Sequence, residues 1–299
     1  MRKSLLTLFL SAMAVMAASA QTADTTRLWT KGFKASLTFN QVSLTNWAAG
    51  GENSYGGNSF LNLFANLKQG KTTWDNSLDL AYGMVKLGDA KLRKSDDKID
   101  FVSKLGHNVI NKNLFLSANL NFKTQFGEGY NYANDTAKLI SNFMAPAYLM
   151  LGLGLDYKPF PYLSISFLPL TGRLVIMNNK SLSESYGLDS LETIKGEFGA
   201  ALKVTFEKDI FTNVSLKSKL DMFSNYMDRP QNIDINWEAL LVLKVNKLIS
   251  TYVGIQTIYD EDINIKDKDG NEGPRTQFKQ TFGIGLSYSI KHLDARIKQ

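Results

Sequence analysis

Cysteine is absent from the 299-residue chain, and this absence excludes two arrangements. No disulfide can form, and no lipid can be attached to a cysteine after a signal sequence, as bacterial lipoproteins require. A chain that is exported to an oxidising compartment also avoids stray thiols in this way. The composition is therefore compatible with an exported protein that has no covalent cross-links and no lipid anchor.

Long apolar runs are also missing beyond the N-terminus. The hydrophobic class makes up 44% of the residues, but no later run approaches the roughly 18 residues that a transmembrane helix needs. Any crossing of a membrane by this chain would therefore have to use β-strands.

The N-terminus has the features of a secretory signal peptide. Arg2 and Lys3 precede an apolar run over residues 5–18, and Ala18-Ser19-Ala20 forms a cleavage site. The sequence therefore predicts a signal peptide at residues 1–20. Loss of its two basic residues lowers the formal net charge from +6 to +4, a mild excess that indicates no nucleic-acid partner.

Residues 276–290 alternate between apolar and polar side chains. The apolar positions are Phe278, Phe282, Ile284, Leu286, Tyr288 and Ile290. This period of two is typical of a β-strand with one apolar face. The stretch exceeds the roughly 9–11 residues that a tilted strand needs to cross a bilayer. We interpret it as the last strand of a membrane-spanning barrel.

The same alternation recurs from Phe33 onward. It predicts an all-β fold, a single antiparallel transmembrane β-barrel of about 12 strands over residues 33–290. The apolar parity changes inside one strand after Pro169, where we expect a bulge, because proline cannot donate to a sheet. We expect residues 21–32 to form a periplasmic N-terminal segment and residues 291–299 a short, mobile periplasmic extension.

The predicted connections alternate in length. Those after even-numbered strands are short, such as residues 69–72, and those after odd-numbered strands are long, such as residues 88–97 and 127–142. One long connection, residues 178–191, is predicted to hold a short helix. Outer-membrane barrels have short periplasmic turns and long extracellular loops. This pattern predicts the outer membrane of a Gram-negative bacterium, with both termini in the periplasm.

Residues 43–53 have the sequence Ser-Leu-Thr-Asn-Trp-Ala-Ala-Gly-Gly-Glu-Asn. They occur with shorter polar segments at residues 124–126, 129–132, 141–143, 169–172 and 230–234. Together these segments resemble an envelope protein family of the Bacteroidota that is defined by a domain of unknown function. The resemblance covers nearly the whole chain after residue 20. It implies an outer-membrane barrel and supplies no activity.

Positions that alternate with the apolar residues are rich in charge of both signs. The candidate lumen-lining residues are Lys34, Asp75, Asp79, Lys98, Asp100, Lys104, Asn119, Asn121, Lys123, Glu197, Lys203, Lys217, Lys219, Asp221, Asp234, Glu238 and Lys279. Buried charges must be paired or remain in water. One interpretation is a narrow or gated channel, and the other is an interior filled by cross-strand ion pairs and asparagines. Barrels of about 8 strands are filled by side chains and those of about 16 are open, and twelve is between these numbers. The strand number therefore does not distinguish the two interpretations.

The first long loop is a candidate constriction of the channel. Its relevant residues are Asn46, Trp47, Gly50, Gly51, Glu52 and Asn53. In one interpretation the loop folds inward with Trp47 and Glu52 in contact with the solute, because a tryptophan in a polar loop favours burial. The alternative is a glycine-rich turn that only lets the backbone bend.

Catalytic and metal-binding patterns are weak. The chain has two histidines; we expect His107 at the periplasmic end of a strand and His292 beyond the barrel, so neither can be a base at the outer rim. Residues 267–270 resemble part of a calcium loop, but Ile265 and Thr276 stand where acidic ligands are needed. The sequence therefore predicts no cofactor, no metal site and no enzyme.

The favoured function is a channel or uptake protein for small solutes. The alternative is a non-conducting structural or surface-interaction barrel whose long loops bind a partner, and an outer-membrane hydrolase is third. The expected partners are outer-membrane lipid and lipopolysaccharide, a small hydrophilic solute, and the barrel assembly machinery during biogenesis. Residues 281–288 resemble the signal that this machinery reads.

Overall fold

A computed structural model describes residues 27–44, 52–110, 112–132, 137–266 and 271–296. The predicted signal peptide at residues 1–20 lies outside the described residues. So do residues 45–51 of the first long loop and the calcium-like segment at residues 267–270.

Twelve long strands close into one antiparallel barrel. They are β1 (Arg27–Val42), β2 (Ser54–Gln69), β3 (Thr72–Leu87), β4 (Arg93–Asn108), β5 (Leu114–Thr124), β8 (Ala147–Phe160), β9 (Leu163–Ile176), β10 (Ile194–Phe211), β11 (Val214–Asn225), β12 (Ile233–Lys244), β13 (Ile249–Tyr259) and β16 (Gln277–Arg296). Each of these strands pairs with the one before it and the one after it in this list, and β16 pairs with β1 to close the barrel. The predicted strand number and antiparallel barrel are confirmed.

The barrel is apolar outside and polar inside. On β16, Phe278, Phe282 and Leu286 are exposed on the outer surface, at 66%, 65% and 58% of their maximal accessible area. In contrast, Asp79 and Asp100 on the inner face are only 4% and 3% exposed. A water-soluble barrel would bury its apolar face, whereas a lipid bilayer requires the arrangement seen here. The strands are therefore membrane-spanning.

The two ends of the barrel differ. At the turn end, the connections from β2 to β3, β8 to β9 and β10 to β11 are two residues each. At the loop end, long connections carry the short hairpins β6–β7 (Gly129–Asn131 and Lys138–Ser141) and β14–β15 (Asn264–Lys266 and Glu272–Pro274). The predicted asymmetry is confirmed. The exception is residues 88–97, which are a shorter loop because β4 already begins at Arg93.

The predicted helix is present in the loop between β9 and β10. It is a 3-10 helix at Lys180–Tyr186, which begins after Asn179, whose side chain accepts a hydrogen bond from the Ser181 backbone N–H. It ends at Gly187 in the left-handed region with φ of 72°. Among the described residues, no helix is long and apolar enough to cross a membrane.

A bulge interrupts β9 around Pro169, as predicted. Against β10, the register steps from the pair Gly199–Thr171 to the pair Ala201–Leu168. A second step occurs at the same place against β8. Proline has no N–H for a ladder bond, and the extra residues restore the pairing on both sides.

The predicted ends of the barrel were wrong. β1 begins at Arg27 rather than Phe33, and β16 continues past Ile290 to Arg296. The two additions are one feature, because Gly32 pairs with Lys291 and Arg27 pairs with Arg296. The unpaired backbone groups of each segment are satisfied by the other. Residues 291–296 are therefore part of the closing strand, not a periplasmic extension.

Candidate functional site in the barrel lumen

The candidate lumen-lining residues lie on the inner face of the barrel. Contacts between strands on opposite sides of the barrel identify this face, and the strand registers extend it to the neighbouring positions. Asn119, for example, lies opposite Lys104 on the adjacent strand, and Lys217 lies opposite Glu207. The period of two therefore carries each of these side chains to the interior.

Two ion pairs cross the whole lumen. Lys98 Nζ on β4 lies 2.7 Å from Glu238 Oε2 on β12, and Lys219 Nζ on β11 lies 2.8 Å from Asp79 Oδ2 on β3. In each pair the two strands are six positions apart in the ring of twelve, which is the largest separation that the barrel allows. The lumen is therefore spanned by side chains from opposite walls.

The two pairs are adjacent, because Asp79 is opposite Asp100 and Lys219 is opposite Glu238 on paired strands. Together with the side chains that they and Asp100 contact, they form a group that we call the cross-lumen layer. It consists of Asn62, Asp79, Lys98, Asp100, Asn121, Lys123, Lys203, Lys219, Asp221 and Glu238. Lys123 Nζ lies 3.0 Å from Asp221 Oδ2, and the Asn121 amide donates to Asp100 Oδ1 at 2.8 Å. Each carboxylate of the layer has a cationic or amide partner, as buried charge requires.

Ion pairs also lie on both sides of the cross-lumen layer. Toward the turn end, Lys34 Nζ lies 2.6 Å from Glu207 Oε1. Toward the loop end, Lys279 Nζ lies 2.8 Å from Asp96 Oδ1. Both contacts join strands that are not neighbours in the barrel. The interior is thus crossed at more than one height.

Arg173 organises the loop end of the interior. Its guanidinium binds both Glu197 and Asp234, and it lies over the Phe223 ring at 4.2 Å from the centroid. Lys195 Nζ approaches Glu197 Oε1 at 3.2 Å. This arrangement ties β9, β10, β11 and β12 together below the external loops.

A second group of ion pairs lies near the turn end, between β3, β4 and β8. Lys158 Nζ lies 3.1 Å from Asp75 Oδ2, and Lys104 Nζ lies 3.0 Å from Asp156 Oδ2. Asp156 is 1% exposed and also accepts hydrogen bonds from two serine hydroxyls. These contacts join β3, β4, β8 and β9 across this side of the lumen.

Within the part of the barrel that the structure describes, one chamber lies near the turn end and another near the loop end. The turn-end chamber has a volume of about 790 Å³ and reaches from the turn at Asn246 and Lys247 to Asp96. The loop-end chamber has a volume of about 640 Å³ and includes Lys98, Lys123 and Glu238 of the cross-lumen layer in its wall. Polar side chains separate the two.

The candidate constriction is described only in part. Asn46, Trp47, Gly50 and Gly51 lie outside the described residues. Asn53 accepts from the Leu44 backbone N–H at 2.7 Å, and its carbonyl accepts from the Gly88 N–H at 2.7 Å. Glu52 also lies beside Gly88. Neither Glu52 nor Asn53 lines a chamber, and both connect the base of the first loop to the end of β3.

Several inward-facing residues were missed by the sequence interpretation. Lys158 and Arg173 both take part in these ion pairs. Both could have been predicted from the sequence, because each occupies one of the alternate positions of its strand that carry polar side chains. Arg173 faces the interior because the bulge at Pro169 changes which alternate positions of β9 point inward. The inward apolar residues were also missed, and no simple signal marks them, because they occupy positions that a water-filled lumen would make polar.

The histidines lie at the turn end. His107 Nδ1 is 3.0 Å from Thr72 Oγ1, near the end of β4. The prediction that His292 lies beyond the barrel was wrong, because it is within β16 and pairs with Lys31. Neither is near the loop end. Among the residues that the structure describes, no group of three or more metal-ligating side chains is placed to hold an ion.

Asp260 is an acidic group at the mouth of the loop-end chamber. Burial and, next, the nearby Asp234 carboxylate together raise the pKa of the Asp260 carboxyl to about 6, while Arg173 opposes the shift. The Asp262 backbone N–H donates to Asp260 Oδ1 at 2.9 Å. In the same mouth, burial raises the pKa of Tyr186 to about 12. Asp260 is therefore the group here that titrates near neutral pH.

Comparison with known families gives one match. Residues 39–130 match a family described as a protein of unknown function, DUF3078. The match covers less than half of the chain and supplies no activity. No curated protein matches the chain.

The chain is distantly similar to several solved structures. An outer-membrane channel from Pseudomonas putida F1 is 12% identical, with 91% of this chain and 97% of that chain covered and a TM-score of 0.38. The translocator domain of the autotransporter NalP from Neisseria meningitidis is 10% identical, with 96% and 97% covered and a TM-score of 0.35. Outer membrane phospholipase A from Escherichia coli is 12% identical, with 86% and 89% covered and a TM-score of 0.35. Because each score is below 0.5, the fold and the site rest on the chain's own geometry.

Proposed function

We propose that the chain is an outer-membrane protein whose barrel is a narrow channel for small hydrophilic solutes, closed at mid-height by the cross-lumen layer. The observation that carries this proposal is the pair of open chambers separated only by side chains. Long lysine side chains such as Lys98 and Lys219 can leave their partners by rotating about several bonds. Opening therefore needs no movement of the barrel wall.

The charged composition of the cross-lumen layer favours a channel rather than a permanently filled interior. A buried ion pair contributes little to stability, and replacement by apolar side chains is often neutral or stabilising. A barrel that needed only to be filled could use such side chains, as Leu168, Ala201 and Phe223 do elsewhere in this interior. Charged side chains keep the passage compatible with water and ions.

The outer membrane is the location that these features support. Closed barrels with an apolar exterior, short turns at one end and long loops at the other are the architecture of that membrane. The short turns, the start of β1 and the end of β16 are then periplasmic, and the long loops face lipopolysaccharide. The signal-like residues 1–20 supply export, and the resemblance of residues 43–53 favours a member of the Bacteroidota. Assembly by the barrel machinery follows from this location.

A second candidate is a non-conducting barrel whose loops bind a surface partner. The observation that favours it is the presence of contacts at other heights, namely Lys34–Glu207 and Lys279–Asp96. If these never open, the chambers are separate pockets and not parts of one passage.

Single-channel recording in a planar bilayer tests the two candidates. The test variant removes both diametric pairs together, as Lys98→Ser, Glu238→Ser, Asp79→Ser and Lys219→Ser, so that no member of either pair is left without its partner. The control variant removes an exposed loop pair, Asp228→Ser with Arg229→Ser. Folding of each is checked by the difference in gel mobility between boiled and unboiled protein.

We expect discrete openings from the wild-type barrel and openings of several-fold higher conductance from the test variant, with the control unchanged. Absence of current from the wild-type barrel at every voltage would overturn the channel and favour the second candidate. Equal conductance of the wild-type barrel and the test variant would show that the layer is not the barrier.

A further inference from the structure

The turn-end chamber has an apolar wall, which is unusual for the inside of a membrane barrel. Phe60 on β2, Leu240 and Val242 on β12, and Tyr252 on β13 line it. Their registers place them inward, since Leu240 is opposite Lys217 and Val242 is opposite Ser215 and Tyr252. The interior of such a barrel is usually polar, so these residues call for an explanation.

These apolar side chains are not buried. Phe60, Leu240, Val242 and Tyr252 are each partly exposed. By comparison, Leu168 and Phe223, which face inward at the loop end, are 0% and 3% exposed. The apolar surface at the turn end therefore faces open space of about 790 Å³, a size typical of ligand pockets.

Lys217 supplies an unpaired positive charge beside this surface. Among the described residues, its ammonium makes no hydrogen bond and no ion pair, whereas Lys219, two residues along the same strand, is paired with Asp79. The neighbouring carboxylate of Glu207 is already bound by Lys34 at 2.6 Å. A cation that is removed from bulk water favours an anionic partner.

Tyr252 supplies a second polar group to the same chamber. Its hydroxyl oxygen is buried and makes no hydrogen bond with any described residue. Lys244 and Lys247 add positive charge where the chamber reaches the turn end, and Asp209, the other carboxylate there, accepts a hydrogen bond from Ser215. Among the described residues, the chamber thus presents lysine ammonium groups without partners, of which Lys217 is opposite Leu240 of the apolar wall, and one buried hydroxyl.

We infer that the turn-end chamber binds an alkyl carboxylate, with the carboxylate at Lys217 and the hydrocarbon chain against Phe60, Leu240 and Val242. The ligand would enter from the aqueous phase at the turn end. Where β1 pairs with β2 and β16, the wall of the chamber is continuous. The inference goes beyond solute conduction and does not depend on it.

Binding of octanoate to the barrel in lipid nanodiscs tests this inference. Carbon-13 NMR of carboxyl-labelled octanoate is recorded against empty nanodiscs, and octan-1-ol is the uncharged control ligand. The variants are Lys217→Met, Lys217→Arg and Tyr252→Phe. Lys112→Met, which changes a lysine in another turn at the same end, is the control variant.

We expect saturable octanoate binding that is about tenfold weaker in Lys217→Met, retained in Lys217→Arg and unchanged in Lys112→Met. Octan-1-ol is expected to bind at least about tenfold more weakly. Equal affinity of octanoate for wild type and Lys217→Met, equal affinity of octanol, or no saturation beyond empty nanodiscs would overturn the inference. If Lys217→Met fails to fold, the Tyr252→Phe variant is the test. We expect it to bind octanoate roughly threefold more weakly than wild type. An unchanged affinity of Tyr252→Phe for octanoate would overturn the inference.

Because the readout is equilibrium binding, its failure is distinct from failure of the proposed channel. A barrel that conducts but does not bind octanoate would retain the channel and lose the ligand site. A barrel that binds octanoate but never conducts would retain the ligand site and lose the channel.

Discussion

Asp79 and Lys219 are 140 residues apart in the chain and stand on opposite walls of the barrel, yet Lys219 Nζ donates to Asp79 Oδ2 at 2.8 Å. Asp79 also accepts from the Asn62 amide at 2.5 Å. The pair thus joins two neighbouring strands on one wall to a strand on the far wall. The contribution of this contact to stability is testable.

Removing one partner of this pair is expected to lower the free energy of unfolding more than replacing both partners with apolar side chains. Asp79→Ala leaves the Lys219 charge without its carboxylate and should lower the free energy of unfolding by about 3 kcal/mol. The double variant Asp79→Leu with Lys219→Met should lose less, because it leaves no unpaired charge. The folded fraction in a urea titration, read by gel mobility, measures both. A double variant less stable than Asp79→Ala would contradict this account.

Removal of residues 291–299 is expected to impair the barrel. These residues include the part of β16 that pairs with Gly32 and the earlier residues of β1, so their loss leaves backbone groups of β1 unpaired at a lipid-facing edge. The yield of heat-modifiable protein after refolding should fall several-fold. Removal of residues 297–299 alone is the control and should have no such effect. Normal folding of the longer truncation would restore the idea of a dispensable extension.

Gly154, on β8 opposite the β9 bulge, is expected to tolerate no larger side chain without a loss of stability. A Cβ atom there would collide with the Phe167 carbonyl oxygen and lie 2.8 Å from Leu168 Cα. Gly154→Ala should therefore cost about 3 kcal/mol of unfolding free energy, at the upper end for overpacking. Gly172→Ala is the matched control, since its Cβ would meet nothing within 4 Å. Equal urea midpoints for the two variants would contradict the close approach.

Asp260 is expected to make stability depend on pH between about 4 and 6. Burial raises its pKa from the ordinary 3.8 to about 6, so the folded state favours the protonated form. The contribution is fully present below pH 4 and is lost as pH rises through 6, by at most about 3 kcal/mol. Asp234, Asp262 and Arg173 face the same carboxyl.

The measurement is the urea midpoint of wild type and Asp260→Asn at several pH values. The difference between the two should change between pH 4 and pH 6 and stay constant above pH 7, because the amide that replaces the carboxyl does not titrate while the neighbouring groups remain. A difference that is independent of pH would show that Asp260 has an ordinary pKa.

The barrel itself was predictable because the two faces of each strand are visible in its local sequence. Phe278, Phe282 and Leu286 alternate with polar residues within one stretch of chain, and lipid on one side with water on the other makes that alternation necessary. The bulge at Pro169 was predictable for the same reason, since a change of parity is visible without any partner strand.

The ends of the barrel were not predictable from alternation. Residues 27–32 and 291–296 have weak patterns, and their strand character depends on each other. Gly32 is in β1 because Lys291 pairs with it, and neither residue indicates this alone. Pairing between the two ends of the chain is a property of barrel closure.

The local sequence was enough to predict a barrel of about twelve strands, the positions of its turns and most long loops, and many of the charged side chains that face inward, because a period of two is a local property of each strand. Which of those charges meet follows from the closed barrel and not from any local pattern. Whether Lys98 reaches Glu238 depends on the number of strands, their register and the closure of the ring, which bring together residues 140 positions apart. The same closure leaves Lys217 without a partner among the described residues, beside an apolar wall, and no local pattern contains that information.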